Sequence, residues 1–317
     1  MTFKVGLIGA RGHVGEALIR IIDTHPALSL GFVSSRERTG ELLSAHISGL
    51  SEDLTYSNVP FAALGQHAVD VFVLALPNGK AAECVEVIAR ERPDACVIDL
   101  SADYRFDADW YYGLPELTRA QGQGVRRISN PGCYASAMQL AIAPMKDHLA
   151  GPTQCFGVSG YSGAGTTPSD KNDPQKLADN LMPYSLINHI HEREVARHCA
   201  PVEFIPHVAP HFRGITMTCN LHLSRKFELD EVRDLYRAAY VNEPLIRVQN
   251  DAPWVSEIAS KHGVQLGGFS LDESGHRLVV VSVLDNLLKG AATQAIQNIN
   301  IALGMNEFAG IDLERAV

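Results

Sequence analysis

The stretch FKVGLIGARGHVGEALIRIID, residues 3–23, constrains the fold more than any other. Val5, Leu7 and Ile8 form a short apolar run of strand character, Gly9, Gly12 and Gly15 follow, and Ala17, Leu18, Ile21 and Ile22 recur at helical spacing. A strand that passes through a glycine turn into a helix opens a βαβ unit. The spacing is G-x-x-G-x-x-G rather than G-x-G-x-x-G. The physical logic is the same: glycines permit a tight turn and let backbone approach a pyrophosphate at the helix N-terminus. A purely structural turn would use the same residues.

The rest of the first half repeats this grammar. Residues 28–35, 69–77, 94–101 and 125–129 read as strands, and 79–92 as a helix. Such alternation predicts a parallel sheet covered on both faces. The pattern then changes: ITMTCNLHL, 215–223, alternates strictly, and 276–286 reads as another strand. The expected fold class is α/β, a Rossmann-type dinucleotide-binding domain over about 1–150, then an α+β catalytic domain over 151–286 with a mixed, largely antiparallel sheet. The helix at 290–304 shows one apolar stripe, and SDKNDPQK reads as a charged, mobile loop.

Composition excludes several classes. A formal net charge of −9 with no long basic run argues against nucleic-acid binding. No apolar run reaches the length of a membrane span, and the first residues are strand-like rather than a leader. The six cysteines show no C-x-x-C spacing, so neither a metal site nor a disulfide framework is expected, and a cytoplasmic setting fits.

Chemistry concentrates in ISNPGCYASAMQLA, 128–141. Pro131 and Gly132 are turn residues and helical spacing follows, which puts Cys133 at a helix start. The positive end of a helix favours a thiolate over a thiol. The alternative is a small buried core residue. After the second strand come Ser34, Ser35 and Arg36, where an acidic residue would favour the ribose hydroxyl of NAD; hydroxyls and an arginine suit the 2′-phosphate of NADP(H). Glu37, next in line, argues the other way. DLSADYR, GLPE and the second glycine loop SGYSGAG are each either ligand-facing or ordinary loop. Among thirteen histidines, HIHERE and PHVAPHFRG stand out, and Pro210 rules out a helical zinc pair at His207 and His211.

Taken in order, GLIGARGHVG, DLSADYR, GLPE, NPGCYAS, SGYSGAG, FIPHVAPHFRG and DNLLKGAATQAIQN identify a resemblance over nearly the whole chain. The chain resembles the N-acetyl-γ-glutamyl-phosphate reductase family, which is related to aspartate-semialdehyde dehydrogenase. The resemblance implies Cys133 as nucleophile and His189 as catalytic histidine. It implies a dinucleotide site of Gly9, Ala10, Arg11, Gly12, His13, Val14, Gly15, Ser34, Ser35, Arg36, Leu76, Pro77, Ser162, Gly163 and Asn286. Substrate contacts are expected from Ser101, Arg105, Asn130, His191, Glu194 and Arg213, with the two arginines offsetting an anionic substrate. It further implies a homodimer or homotetramer acting on a small acyl phosphate or semialdehyde, and a C-terminal helix, 287–317, that packs back on the first domain. The chain departs from the family pattern at Ile190 and Arg193, where Arg and Pro are usual, at Thr166, where a basic residue is common, and at Thr293, where Gly is usual. The competing readings are the same chemistry on an aspartyl or aminoadipyl phosphate, and a silent NADP-binding regulator.

Overall fold

A computed structural model describes residues 2–317. The chain forms two compact units: residues up to Pro131 with Ala291–Ile311, and Gly132–Gly290 with Asp312–Val317.

In the first unit, β1 (Phe3–Ile8), β2 (Leu28–Ser34), β3 (Val71–Leu74), β4 (Cys96–Asp99), β5 (Tyr111–Tyr112) and β6 (Arg127–Ser129) form a sheet in the order β2-β1-β3-β4-β6-β5. Every pairing is parallel. β3 and β4 are buried along their whole length, as a sheet covered on both faces requires. The helices here are α1 (His13–Asp23), α2 (Ala82–Glu91) and α3 (Pro115–Thr118). α1 buries Ala17, Leu18, Ile21 and Ile22, the stripe its sequence spacing set up, and Ile19 beside them. Strand order reverses between β1 and β3, and ligands bind at the carboxyl ends of strands at such a reversal.

The second unit holds β7 (Thr153–Gly160), β8 (Met182–Pro183), β9 (Val202–Ala209), β10 (Ile215–His222), β11 (Ile246–Val248), β12 (Val264–Leu271) and β13 (Arg277–Leu284), in the order β11-β12-β13-β10-β7-β9-β8. β10 pairs antiparallel with both β7 and β13, whereas β7 and β9 run parallel. Its helices are α4 (Cys133–Ile142), α5 (Pro174–Leu177), α6 (Ile190–His198), α7 (Leu229–Tyr240) and α8 (Val255–Ile258). α4 packs on β10 and β13 and is buried on all sides from Tyr134 to Ile142. Two α7 tyrosines cap its far end: Tyr236 Oη donates to Ala141 O (2.5 Å) and Tyr240 Oη to Leu140 O (2.6 Å), satisfying carbonyls that have no partner inside the helix. Cys219 points into the core, as the alternation of its strand requires. The opposite face of the sheet leaves the paired residues Phe156 and Ile205 exposed.

The chain then returns to the first unit as α9 (Thr293–Ala302), which packs against α1, α3 and β4. The division therefore falls at Pro131/Gly132 and not near residue 150. The reason is packing: α4 spends its buried surface on the second sheet, although sequence alternation alone groups it with the strands before it. The helix read at 290–304 begins as a π-helical turn, Leu288–Ala292, before α9 takes α-helical form.

Candidate active site

In the first unit the glycine turn is built for close approach. Gly9 has φ +83°, and a Cβ there would lie 2.2 Å from Ala75 O. Both facts demand glycine. A Cβ on Gly15 would lie 2.5 Å from Ala10 O, so the first helical turn also presses onto the strand end. Gly9 N and Ala10 N both donate to Ser34 O (3.1 Å), which ties the turn to the end of β2. α1 starts after an extended Gly12 with no side-chain cap, so Arg11, Gly12, His13 and Val14 surround an N-terminus of partial positive charge. Leu76 and Pro77 follow β3 at the neighbouring strand end, and Leu76 lies beside Gly9.

At the end of β2, Ser34 Oγ accepts from Val59 N (3.2 Å) and Ser35 Oγ from Arg38 N (3.3 Å). Glu37 lies 3.7 Å from Arg11 of the glycine turn, so the acidic residue that argued for NAD is paired within the protein. Arg36 is exposed, and Arg38 is anchored by its hydrogen bond to Tyr56 Oη (3.2 Å) and its stacking over that ring. Arg38 is absent from the sequence-derived set, because nothing in SRERTG ranks one arginine above the other.

Three residues expected at the substrate are occupied within the first unit. Ser101 Oγ donates to Asp99 Oδ2 (2.6 Å). Asn130 Nδ2 donates to Ala291 O (3.3 Å), while its Oδ1 accepts from Asn298 (3.2 Å). Arg105 is buried and donates to Asn130 O and Leu100 O, both at 2.9 Å. Arg105 and the Asn130 side chain thus tie the start of the Asn-Pro-Gly-Cys turn to Leu100, Ala291 and Asn298.

Cys133 is the first residue of α4. The N-cap, Gly132, is extended (φ −75°, ψ 151°) and no side chain caps the helix, so the helix dipole acts on the thiol. Gly132 N donates to Glu194 Oε1 (2.8 Å), and Glu194 is fully buried. Glu194 thus holds the turn that precedes Cys133. A Cβ on Gly290 would lie 2.6 Å from Cys133 Cβ, so the π-helical turn gives Cys133 its room.

Around Cys133 sits an aromatic cluster. The Tyr134 and Tyr184 rings lie 6.3 and 5.6 Å from the His189 ring, and Phe204 lies 5.2 Å from it. Tyr134 Oη donates to His207 O (2.7 Å). Burial, with Tyr184 and Cys133 nearby, pushes the Tyr134 hydroxyl far above its usual range; burial and Cys133 do the same to Tyr184. Both phenols stay protonated. Residues leading into this cluster are strained: Asp179, Ser185 and Asn188 all have positive φ, a cost tolerated where a site fixes the backbone.

His189 is the N-cap of α6, and its Nδ1 accepts from His191 N (3.1 Å). A backbone N–H can only donate, so Nδ1 carries no proton and the neutral ring carries it on Nε2. Burial, helped by the charge of Lys171, pushes the imidazole down to about 4. At neutral pH His189 is therefore an uncharged N–H donor. The His191 ring packs 4.9 Å from it.

Arg213 pairs with fully buried Asp285, Nη2 to Oδ1 at 3.0 Å, and Asp285 also accepts the N–H groups of Leu287 and Leu288. This anchors the π-helical turn beside Cys133. Asn286 is equally committed: its Nδ2 donates to Ser162 Oγ (2.9 Å), its Oδ1 accepts from Gly214 N (2.7 Å), and Gly163 lies beside it. The second glycine loop is thereby knit to residues 212–214. Tyr134, Tyr184, Lys171 and Gly290 were not singled out from the sequence; Tyr134, Tyr184 and Gly290 meet their neighbours through pairings distant along the chain, and Lys171 is placed by a local turn.

Among the described residues no group of three or more His, Cys, Asp or Glu is arranged to hold a metal ion, and no helix is long and apolar enough to cross a membrane.

Two family profiles match. One, described as the NAD binding domain of semialdehyde dehydrogenase, covers residues 4–124, and the other, its dimerisation domain, covers 133–286. A protein of Xanthomonas campestris pv. campestris named N-acetyl-gamma-glutamyl-phosphate reductase is 59% identical over 97% of this chain and 98% of its own length. Proteins of the same name from Stenotrophomonas maltophilia (98% of each chain) and Xylella fastidiosa (98% and 95%) are 58% and 57% identical. Among solved structures, aspartate semialdehyde dehydrogenase II of Vibrio cholerae shares the fold at 20% identity, with a TM-score of 0.77 over 95% of this chain and 98% of that one. The Candida albicans enzyme with NADP shares it at 16% identity and 0.70, over 95% and 99%. The chain belongs to the N-acetyl-gamma-glutamyl-phosphate reductase family of semialdehyde dehydrogenases, oxidoreductases with an NAD(P)-binding domain and a dimerisation domain.

Proposed function

We propose that the chain reduces N-acetyl-γ-glutamyl phosphate to N-acetyl-glutamate semialdehyde with NADPH, through a thioester on Cys133, as a step of arginine biosynthesis. The observation that carries this reading is Cys133 at an uncapped helix start, against a helix that carries His189 as its N-cap.

The protein's own residues supply most of the mechanism. Cys133 Sγ, held as a thiolate by the start of α4, bonds to the acyl carbon. The carbon–oxygen bond to phosphate breaks, and phosphate departs with the electron pair and takes up a proton. When bound, NADPH supplies hydride to the thioester carbon. The resulting thiohemiacetal oxyanion re-forms its carbonyl, the carbon–sulfur bond breaks, and Sγ returns as thiolate. His189, with Nδ1 occupied by the helix, offers Nε2–H to the oxygen that gains charge in both steps. It serves as a fixed donor, not as an imidazolium acid. Glu194 holds the Cys133 turn, and the protonated tyrosines exclude water from the thioester.

The residues present fit a dinucleotide. Gly9 leaves the space a Cβ would fill, the α1 start is uncapped, and Ser35, Arg36 and Arg38 end β2 without an unpaired carboxylate. That set favours the 2′-phosphate of NADP(H) over a ribose hydroxyl. The exposed Phe156 and Ile205 on the open sheet face suit burial against a second copy, as a homodimer or a dimer of dimers. A reducing cytoplasm suits a thiolate nucleophile.

The test is the reverse reaction. N-acetyl-glutamate semialdehyde and NADP should give NADPH only with inorganic phosphate, and aspartate semialdehyde should give none. Activity confined to another semialdehyde moves the substrate and keeps the mechanism. Dinucleotide binding without turnover on any aldehyde sinks the enzyme reading.

A further inference from the structure

The acyl-phosphate substrate is anionic, yet Arg105 and Arg213 are both committed to internal partners. A cation is nevertheless present beside His189. Lys171 Nζ lies 4.8 Å from the centroid of the Tyr184 ring, and that ring lies 5.6 Å from His189.

Lys171 is held there by an ordered turn, although SDKNDPQK reads in sequence as a mobile loop. Asn172 Nδ2 donates to Gly165 O (2.9 Å) and Thr167 O (2.8 Å). Ser169 N donates to Asn172 Oδ1 (2.8 Å), closing a reciprocal cap on the 3-10 turn Asp170–Asn172. The nearby carboxylates are already spent. Asp170 pairs with Lys176, and Asp173 caps α5 through Gln175 N (2.9 Å) and Lys176 N (3.4 Å). No carboxylate pairs with Lys171 among the described residues, and its side chain is only half-exposed. A partly desolvated ammonium over a phenol ring gains most from an incoming anion.

We propose that Lys171 binds an anionic group of the substrate, its phosphoryl or its carboxylate, from the 3-10 turn that follows the second glycine loop. This rests on the function proposed above. The same closeness acts on His189, whose imidazole is held down by burial and then by the charge of Lys171.

The reverse reaction separates the two anions, because aldehyde and phosphate enter as different molecules. In Lys171→Gln, a rise of about tenfold or more in KM for phosphate alone identifies the phosphoryl group, and the same rise for the aldehyde alone identifies the carboxylate. Lys171→Arg should restore the affected KM to within about threefold. If neither KM moves, or if Lys176→Gln gives the same rise, the proposal falls. A wild-type protein silent with this aldehyde would sink the function above. Lys171 is then judged by NMR titration of the His189 imidazole with orthophosphate and with acetate. A shift caused by either ion and lost in Lys171→Gln supports the site; no shift, or one that survives the substitution, overturns it.

Discussion

Two helices of this molecule start almost identically and do different work. α1 follows Gly12 and α4 follows Gly132, both N-caps are extended, and neither has a side-chain cap. Each leaves a helix N-terminus for a negative group. The surroundings decide which group. α1 keeps one face toward solvent, and its turn presses against backbone at Ala75, so it can receive a large ligand. α4 is buried from Tyr134 to Ile142, its preceding N–H is taken by Glu194, and Gly290 packs against half-buried Cys133, so in the proposed mechanism its anion is Cys133 itself. An uncapped helix end is therefore a generic anion site, and what packs around it decides which anion it serves.

The sharpest way to separate the two starts is Cys133→Ser. Turnover should fall by at least about a thousandfold, while the dissociation constant for NADPH, measured by fluorescence, stays within about twofold. A parallel loss of NADPH affinity would mean that the two helix ends do not act separately.

Adding one methyl group at each start should split them again. Gly290→Ala drives a Cβ into Cys133 and should cost about a hundredfold in kcat with nucleotide affinity kept. Gly9→Ala combines positive φ with a clash against Ala75 O, and should weaken NADPH binding and lower stability by about 1–3 kcal/mol. Equal losses of kcat and of nucleotide affinity in both variants would erase the distinction.

Glu194 is the contact that α1 lacks. Glu194→Ala should lower kcat by about tenfold to a hundredfold with KM for the acyl phosphate little changed, and Glu194→Gln, which keeps an acceptor for Gly132 N, should recover most of it. A rise in KM in both variants would return Glu194 to the substrate.

The last effect is on pH and touches stability rather than turnover. The His189 imidazole titrates near 4 in the folded protein against 6.5 when free. The unfolded chain takes up this proton first. The folded state therefore loses stability as pH falls from about 6.5 to about 4, by at most about 3 kcal/mol, with no further loss below. His189→Asn can still cap α6, so the variant should lose less stability between pH 7.5 and 4.5 when followed by urea denaturation. An unchanged loss would assign the effect to His25 and His262, which burial also holds down.

The parallel sheet, the glycine turn and Cys133 at a helix start were legible in sequence because each depends on residues a few positions apart. Tyr111–Tyr112 was not, since two residues show no period and their pairing partner, Ile128–Ser129, is set by the fold. The unit boundary was misplaced because periodicity shows that a helix has an apolar face and not which sheet receives it. Within the site, Arg105, Asn130 and Arg213 were named as substrate contacts from residue type and motif alone. Whether they meet a ligand or the chain's own carbonyls and carboxylates depends on contacts 25, 72 or 168 residues away.

The interrupted first unit has a consequence for synthesis. Its sheet and helices up to Pro131 leave the ribosome early, but α9 is among the last elements made. The second unit also ends late, because Gly263 N pairs with Ala316 O near the C-terminus. Each unit therefore lacks a piece of itself until residues 291–317 have been made, and its apolar strands precede the segments that complete it. A chain cut before Ala291 would leave two unfinished units rather than one finished and one missing.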